Sequence, residues 1–319
     1  MLKKIFAVVL LCCVPGLLWA QAYPAKAVRI VVPYGTGGGS DILARQLAQK
    51  LSDLWGQGVT VENRAGASGN LGTEAVVKSA PDGYTLMMQN TTIAVNPSIM
   101  QKMPFDVQKD LTPIALVGFT PIMLVAHPGA KVASVKDLTD FAKANPGKLA
   151  YGSCGNGTPQ NFAAEMYQVL AGVSLIHAPY RGCAPGLVDV LGGQVPLAVL
   201  SANMVAPHLK TGRLKGLALT SRETYRVTPE VPTMESLGYR DFDFANWYGL
   251  MGPAGMPRAL VEKIQADALK VMTMPDVVAN MSAAGIERLS GTADQLGEML
   301  KSDLAKYAKL AKQANIKSE

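Results

Sequence analysis

Apolar and polar positions along this chain switch repeatedly between two periods, short apolar runs and helical spacing. Residues 28–32, Val-Arg-Ile-Val-Val, form a β-branched run followed by Gly and Ser, which predicts a buried strand. Ile42, Leu43, Leu47 and Leu51 then recur at the spacing of one helix face. The same alternation predicts strands at 59–61 and 84–88 around a helix at 71–78, which Pro81-Asp82-Gly83 stops with a turn. Strand–helix–strand repetition of this kind implies right-handed crossovers and a parallel sheet.

The pattern then restarts. Residues 114–117 and 122–126 read as two strands, and 135–144 as a helix ended by Asn145-Pro146-Gly147. A strand at 149–151 and a helix at 161–170 follow. Strands at 175–177, 197–200 and 216–220 accompany a helix at 187–191. One more strand is predicted at 246–251, then helices over 258–272, 275–284 and 293–311. The last places Leu296, Met299, Leu300, Leu304, Tyr307 and Leu310 on one face. Helices with no strand between them at the C-terminus indicate a return to the first unit. The expectation is an α/β chain of two lobes, with residues 23–120 and 247–319 in lobe 1 and 121–246 in lobe 2. The chain crosses between them twice, near 118–122 and 244–248, and two crossings make a hinge. No fixed-period repeat, low-complexity segment or heptad pattern interrupts this reading.

The first 22 residues read as a secretory signal peptide: Lys3 and Lys4 open it, residues 5–18 are apolar, and Ala20-Gln21-Ala22 supplies a cleavage site. The apolar run is short for a membrane helix, and no other stretch reaches the length that spans a bilayer. The expected location is the periplasm, with cleavage near Ala22. The two signal lysines take part of the formal charge of +6 with them, and the remaining Lys and Arg are scattered. That argues against a nucleic-acid partner. Of four cysteines, Cys12 and Cys13 leave with the signal. Cys154 and Cys183 remain, an even pair that favours a disulfide in an oxidising compartment, with two buried thiols as the alternative. Closing a loop of about 30 residues is worth roughly 3–4 kcal/mol. His127, His177 and His208 show no ligand spacing with one another or with the cysteines, so no metal and no cofactor is expected.

Chemistry concentrates in the loops. Pro33-Tyr34-Gly35-Thr36-Gly37-Gly38-Gly39-Ser40-Asp41 follows a buried strand and opens a helix, so it gathers backbone N–H groups at the positive end of a helix dipole. Such a loop suits an anion. It lacks the Lys of a phosphate loop, and counting from Gly35 it fails the dinucleotide fingerprint at Ser40. A carboxylate needs only neutral donors, which it has. Asp41 reads as a helix cap, in tension with an anion pocket. Further loops at 65–70, 90–92, 155–159 and 180–185 follow predicted strands in the same way, the fourth with Thr158 as N-cap and Pro159 at the first helical position. Ligands of open α/β sheets lie at the carboxyl ends of strands, so all five loops point to one cleft between the lobes.

Single residues leave alternatives open. Arg181 is either a cation for a carboxylate or a solvated surface side chain. Tyr34 covers the apolar part of a ligand or packs in the core. Trp247, His127 and His177 read as structural. Ser40 or Ser153 is a candidate nucleophile, yet neither stands in a motif with a His and no G-x-S-x-G exists, so no enzyme is expected.

Taken together these segments resemble the Bug family, the extracytoplasmic receptors of tripartite tricarboxylate transporters. The resemblance rests on Tyr23-Pro24, the 33–41 loop, Glu62-Asn63-Arg64-Ala65-Gly66-Ala67-Ser68-Gly69, and Ala80-Pro81-Asp82-Gly83-Tyr84-Thr85-Leu86. Tyr151-Gly152-Ser153, Gly157-Thr158-Pro159, Tyr180-Arg181-Gly182 with Ala184-Pro185, and Leu191-Gly192-Gly193-Gln194-Val195 complete it. It implies a type II periplasmic-binding-protein fold, hinged lobes of sheet flanked by helices, and a receptor that delivers a small organic carboxylate to membrane subunits of a transporter. A monomer is expected. A ligand-presenting sensor for a membrane receptor kinase is the alternative, and a hydrolase using the same cleft a more distant one. The resemblance points to Tyr34, Thr36, Gly37, Gly38, Ser40, Ser68 and Asn90 in lobe 1, and to Gly157, Thr158, Tyr180, Arg181 and Gly182 in lobe 2, as ligand-binding residues. Asp189 follows a motif position and is expected to organise its loop. The chain departs from the family at Gln160-Asn161, where a His often stands, and at Cys154 and Cys183, which replace small residues in two loops on the same rim.

Overall fold

The computed structural model describes residues 23–316, so the signal-peptide expectation lies outside the described residues. The first unit runs β1 (Val28–Val32), α1 (Gly39–Trp55), β2 (Val59–Asn63), α2 (Asn70–Val77), β3 (Thr85–Asn90) and α3 (Thr92–Ile99). A long strand, β4 (Leu111–Ala126), leads into α4 (Val135–Ala144), β5 (Ala150–Ser153), α5 (Pro159–Ala171), β6 (Ile176–Pro179), α6 (Cys183–Leu191), β7 (Leu197–Ser201), α7 (Ala202–Lys210) and β8 (Lys215–Leu219). The chain returns through β9 (Ala245–Pro253) to α8 (Arg258–Val271), α9 (Pro275–Ala283) and α10 (Ala293–Gln313).

The strands form one sheet in the order β2-β1-β3-β9-β4-β7-β5-β6, with β8 also paired to β4. Parallel pairing holds β1 to β2 and β3, and β5 to β6 and β7. β4 is shared: its residues 111–121 pair with β9, while 122–126 pair with β7 on one side and 123–126 with β8. The sheet thereby divides into two lobes flanked by helices and joined at two crossings.

Two expectations change. The strands predicted at 114–117 and 122–126 are one strand, because the intervening Gly-Phe-Thr-Pro does not break it. Pro121 sits where the ladder changes partner, a place that tolerates a missing N–H. Helices α3 and α7, which hold Pro97 and Pro207 inside them, are absent from the elements predicted above.

Lobe 1 closes around Leu43, Leu47 and Leu51 of α1, which pack with Ile30, Leu86 and Ile264. Helix α10 serves both lobes. The Tyr307 ring meets Phe162 at 5.0 Å and Phe244 at 5.8 Å. Lys306 Nζ donates to the Asp243 carbonyl at 2.6 Å and pairs with Asp303 Oδ1 at 2.7 Å. Trp247 Nε1 donates to Asp303 Oδ2 at 2.7 Å, which fixes the second crossing to α10. Trp247→Phe strips a buried carboxylate of a donor and leaves a void where the indole packed, so urea titration should show a loss of at least about 1.5–3 kcal/mol.

Candidate functional site

β1 delivers the Tyr34–Ser40 loop to the cleft. Gly38 stands at the N-cap of α1 in extended backbone, φ −78° and ψ 167°, with no side chain to accept a first-turn N–H. Those donors are unclaimed by any side-chain cap. Asp41 does not compete for them. Only 3 % exposed, it accepts from Gly37 N at 2.9 Å, Arg45 Nε at 3.0 Å and Asn63 Nδ2 at 2.8 Å. Burial pushes its pKa up, but the bonds from Arg45, Gly37 and Asn63 outweigh that and hold it below the usual carboxylate range. The tension between an acid and an anion loop is resolved: the carboxylate faces inward and shapes the loop.

The expected residues of lobe 1 gather on this face in different roles. Thr36, Gly37 and Gly38 are exposed at the turn. Ser40 is buried, its Oγ accepting from Asn90 Nδ2 at 3.4 Å, and Asn90 Oδ1 accepts from Thr92 N at 2.9 Å. Tyr34 Oη donates to Gln89 Oε1 at 2.5 Å, so this side chain is anchored in the wall. Its burial raises the phenol pKa. Ser68 is exposed, and its carbonyl accepts from Asn96 Nδ2 at 2.9 Å.

The crossing strands supply a floor that sequence reasoning missed. Tyr248 Oη lies 2.9 Å from Thr120 Oγ1 and accepts from Asn246 Nδ2 at 3.2 Å. A Cβ at Gly39 would come within 2.1 Å of Tyr248 Oη, so only glycine lets α1 begin this close to the floor. The signal was available in Asn246-Trp247-Tyr248, polar and aromatic residues at a predicted crossing.

In lobe 2, Thr158 Oγ1 accepts from Asn161 N at 3.3 Å and donates to the Gly155 carbonyl at 2.8 Å, closing the turn at Gly157. Gly157 N donates to Asn161 Oδ1 at 3.1 Å, and Ile99 of lobe 1 rests against Gly157 from across the cleft. Tyr180 stacks over Gly152 and Gly186 and donates to Asp189 Oδ2 at 2.6 Å, so Asp189 does organise this loop. Arg181 and Gly182 are exposed, and Arg181 takes no ion pair or hydrogen bond among the described residues. Cys154 and Cys183 form a disulfide. Gln160, absent from the expected set, reaches Ser201 Oγ at 3.3 Å.

One further pairing escaped the sequence. Ser153 Oγ lies 2.7 Å from His177 Nε2, although no motif joins them. Ser153 is 0 % exposed, and its hydroxyl also engages Gly155 N at 3.2 Å and Gly155 O at 3.1 Å. The other imidazole nitrogen faces the Asn161 amide at 3.5 Å rather than a carboxylate. His177 stacks on Tyr151 at 4.8 Å, and burial lowers its pKa to about 4. A separate cavity of about 190 Å³ lies on the α10 side of the crossings, lined by Phe119, Trp247, Asp303 and Lys306 among others. Of its charges, Lys306 and Asp303 pair with each other at 2.7 Å, and Arg222 pairs with Glu235 outside the cavity at 3.5 Å.

A family model described as the tripartite tricarboxylate transporter family receptor matches residues 43–316. Protein BugT of Bordetella pertussis is 34% identical over 93% of this chain and 92% of its own length. Among solved structures, the R. palustris protein Rpa4515 with adipate is similar at a TM-score of 0.78 and 28% identity, covering 92% of this chain and 99% of that one. MatC from Rhodopseudomonas palustris with bound malate is similar at a TM-score of 0.73 and 25% identity, covering 90% and 99%.

Gly39→Ala forces Tyr248 from its place, and overpacking of this kind should cost about 1–3 kcal/mol in a denaturant titration. His177 gives a pH dependence of known sign. Folded, it stays neutral down to about 4, whereas its ordinary value is 6.5. The unfolded chain therefore binds the extra proton, and stability falls as pH drops from about 6.5 to about 4. His177→Asn should flatten that part of a melting-temperature profile; an unchanged slope would contradict the assignment.

Proposed function

The chain belongs to the tripartite tricarboxylate transporter receptor family, and on that premise we propose that it closes two lobes around a small organic carboxylate for the membrane subunits of a tripartite transporter. The observation that carries this reading is the start of α1, where a glycine N-cap leaves first-turn N–H groups facing the cleft while the nearby acid is turned inward. Helices α2, α6 and α7 also begin without a side-chain cap, at Gly69, Gly182 and Ser201, whereas at α3 the Asn90 side chain takes the Thr92 N–H. Neutral donors at helix starts bind a carboxylate without a counter-charge. Arg181 adds one free cation at the rim. Tyr34, Thr36, Gly37, Gly38, Ser40, Ser68 and Asn90 would meet the ligand from lobe 1, and Gly157, Thr158, Tyr180, Arg181 and Gly182 from lobe 2. Rpa4515 and MatC hold adipate and malate, both small dicarboxylates, which supports this solute class.

The partner change in β4 supports lobe limits at residues 23–120 with 247–319 and at 121–246, so that closure turns about the crossings. The family is periplasmic, and the Lys-apolar-Ala pattern of residues 1–22 supports a signal removed on export. A receptor role rather than a hydrolase is supported by Ser153, which is 0 % exposed beside His177.

A melting screen against adipate, malate and other carboxylates, with amides and sugars as controls, tests the class. A ligand at about 100 times its Kd adds about 2.7 kcal/mol, a shift of about 5–10 °C. Gly38→Asp tests the loop. Its backbone suits an N-cap, and only Gly35 O approaches the new Cβ, at 4.0 Å. The carboxylate would cap α1 itself, keeping or raising stability by a few tenths of a kcal/mol while displacing the ligand. Calorimetry should show binding at least about 100-fold weaker, since the new carboxylate both claims the donor set and sets a like charge against the ligand. Undiminished binding by Gly38→Asp would sink the placement of the ligand carboxylate.

A further inference from the structure

The loop at Tyr180–Gly182 is thinly supported by packing. It joins β6, the strand at the edge of the sheet, to α6, whose only buried residues are Gly186 and Val190. Val188 of that helix is 67% exposed. Gly182, the N-cap of α6, sits at φ 97° and has no side chain to hold the helix start. Its anchors are Tyr180 N to Ser153 O at 3.3 Å, Gly182 N to Cys154 O at 3.0 Å, Tyr180 Oη to Asp189 Oδ2 at 2.6 Å, the Tyr180 ring over Gly152 and Gly186, and the Cys154–Cys183 disulfide, the one covalent tie, with the two Cα atoms 4.1 Å apart.

The disulfide also lies where three helix starts converge. Cys154 precedes the turn that opens α5, and Cys183 is the first residue of α6. Gln160 Nε2, near the start of α5, is 3.9 Å from Cys183 Sγ and 3.3 Å from Ser201 Oγ, and Ser201 is the N-cap of α7. Ser201 Oγ itself lies 4.0 Å from Cys183 Sγ.

We propose that the Cys154–Cys183 disulfide is a positioning element of the ligand site, holding the starts of α5, α6 and α7 in one wall so that lobe 2 meets the solute already ordered. This rests on the cleft being the solute site. A dithiol such as dithiothreitol would open the bridge, its two sulfurs giving up two electrons and two protons to form two thiols on the protein and one cyclic disulfide on the reagent. The loops would then have to be ordered again at each binding event. Fixing even one freed residue should weaken affinity about tenfold.

The test compares oxidised protein, dithiothreitol-reduced protein and the Cys154→Ala/Cys183→Ala double variant. Hydrogen exchange is followed at amides 154–158 and 180–186 without ligand, with α10 as internal control. Calorimetry at a temperature well below melting gives Kd for adipate and for malate. The expected result is faster exchange in both loops, unchanged exchange in α10, and affinity about tenfold weaker. Unchanged exchange in the two loops overturns the proposal. So does a lowered melting temperature with unchanged Kd, which would make the bridge a staple for stability alone. Oxidised wild type that binds neither acid counts against the dicarboxylate reading of the cleft, and the exchange comparison then decides the positioning role by itself.

Discussion

A strand buried along almost its whole length must pair its peptide groups on both sides, and β4 is such a strand. No single neighbour is long enough. β9 covers one side up to Pro121 and β8 continues that side, while the 287–291 segment and β7 share the other. The break between partners falls at the same level on both sides, around residues 119–122. That coincidence divides one sheet into two lobes and makes the cleft floor out of hydrogen-bonded strand rather than loop. Thr120, Asn246 and Tyr248 sit on that floor with little freedom, and the glycine start of α1 is fitted against them.

The same frame turns the carboxyl ends of the parallel strands toward each other, so the helices that follow open on the cleft. On the proposed reading, what meets a solute there is mostly backbone. A neutral site avoids the desolvation cost of burying a fixed cation, and it forgoes the strength of a charge-assisted pair. That balance suits a receptor that must surrender its cargo. The inward turn of Asp41 belongs to the same economy of charge: Arg45 and Asn63 hold the acid on the loop's inner side, so that it shapes the turn without repelling an anion.

Much of this was legible in the chain. Val28–Val32 and the Leu43, Leu47, Leu51 stripe declare a buried strand and its covering helix, because burial on one face imposes its period on the sequence. The glycine-rich turns declare where helices start, and Thr158 is legible as the cap of α5, whereas Asp41 reads as a cap and instead accepts from Gly37 N ahead of the helix. The long strand was read as two because Gly118 and Pro121 signal a break locally, and only the change of partner explains why they do not break it. Tyr248, Thr120 and Gln160 were missed because a floor made by distant crossings leaves no spacing to read.

The pairing of Ser153 with His177 shows why geometry of one pair does not define a site. Its distance matches that between a nucleophile and its base. Its surroundings do not. The serine is sealed, the imidazole is kept neutral by burial, and the group beyond it is an amide already committed to Tyr151 Oη at 2.9 Å. Tyr151 in turn donates to Glu165 Oε1 at 2.7 Å, and burial holds the Glu165 pKa above the usual range. Each member therefore satisfies a buried neighbour, and the chain of contacts ends at Gly155 and Gly157 in the turn that opens α5. What it supplies is a fixed position for the amides of the 155–157 turn.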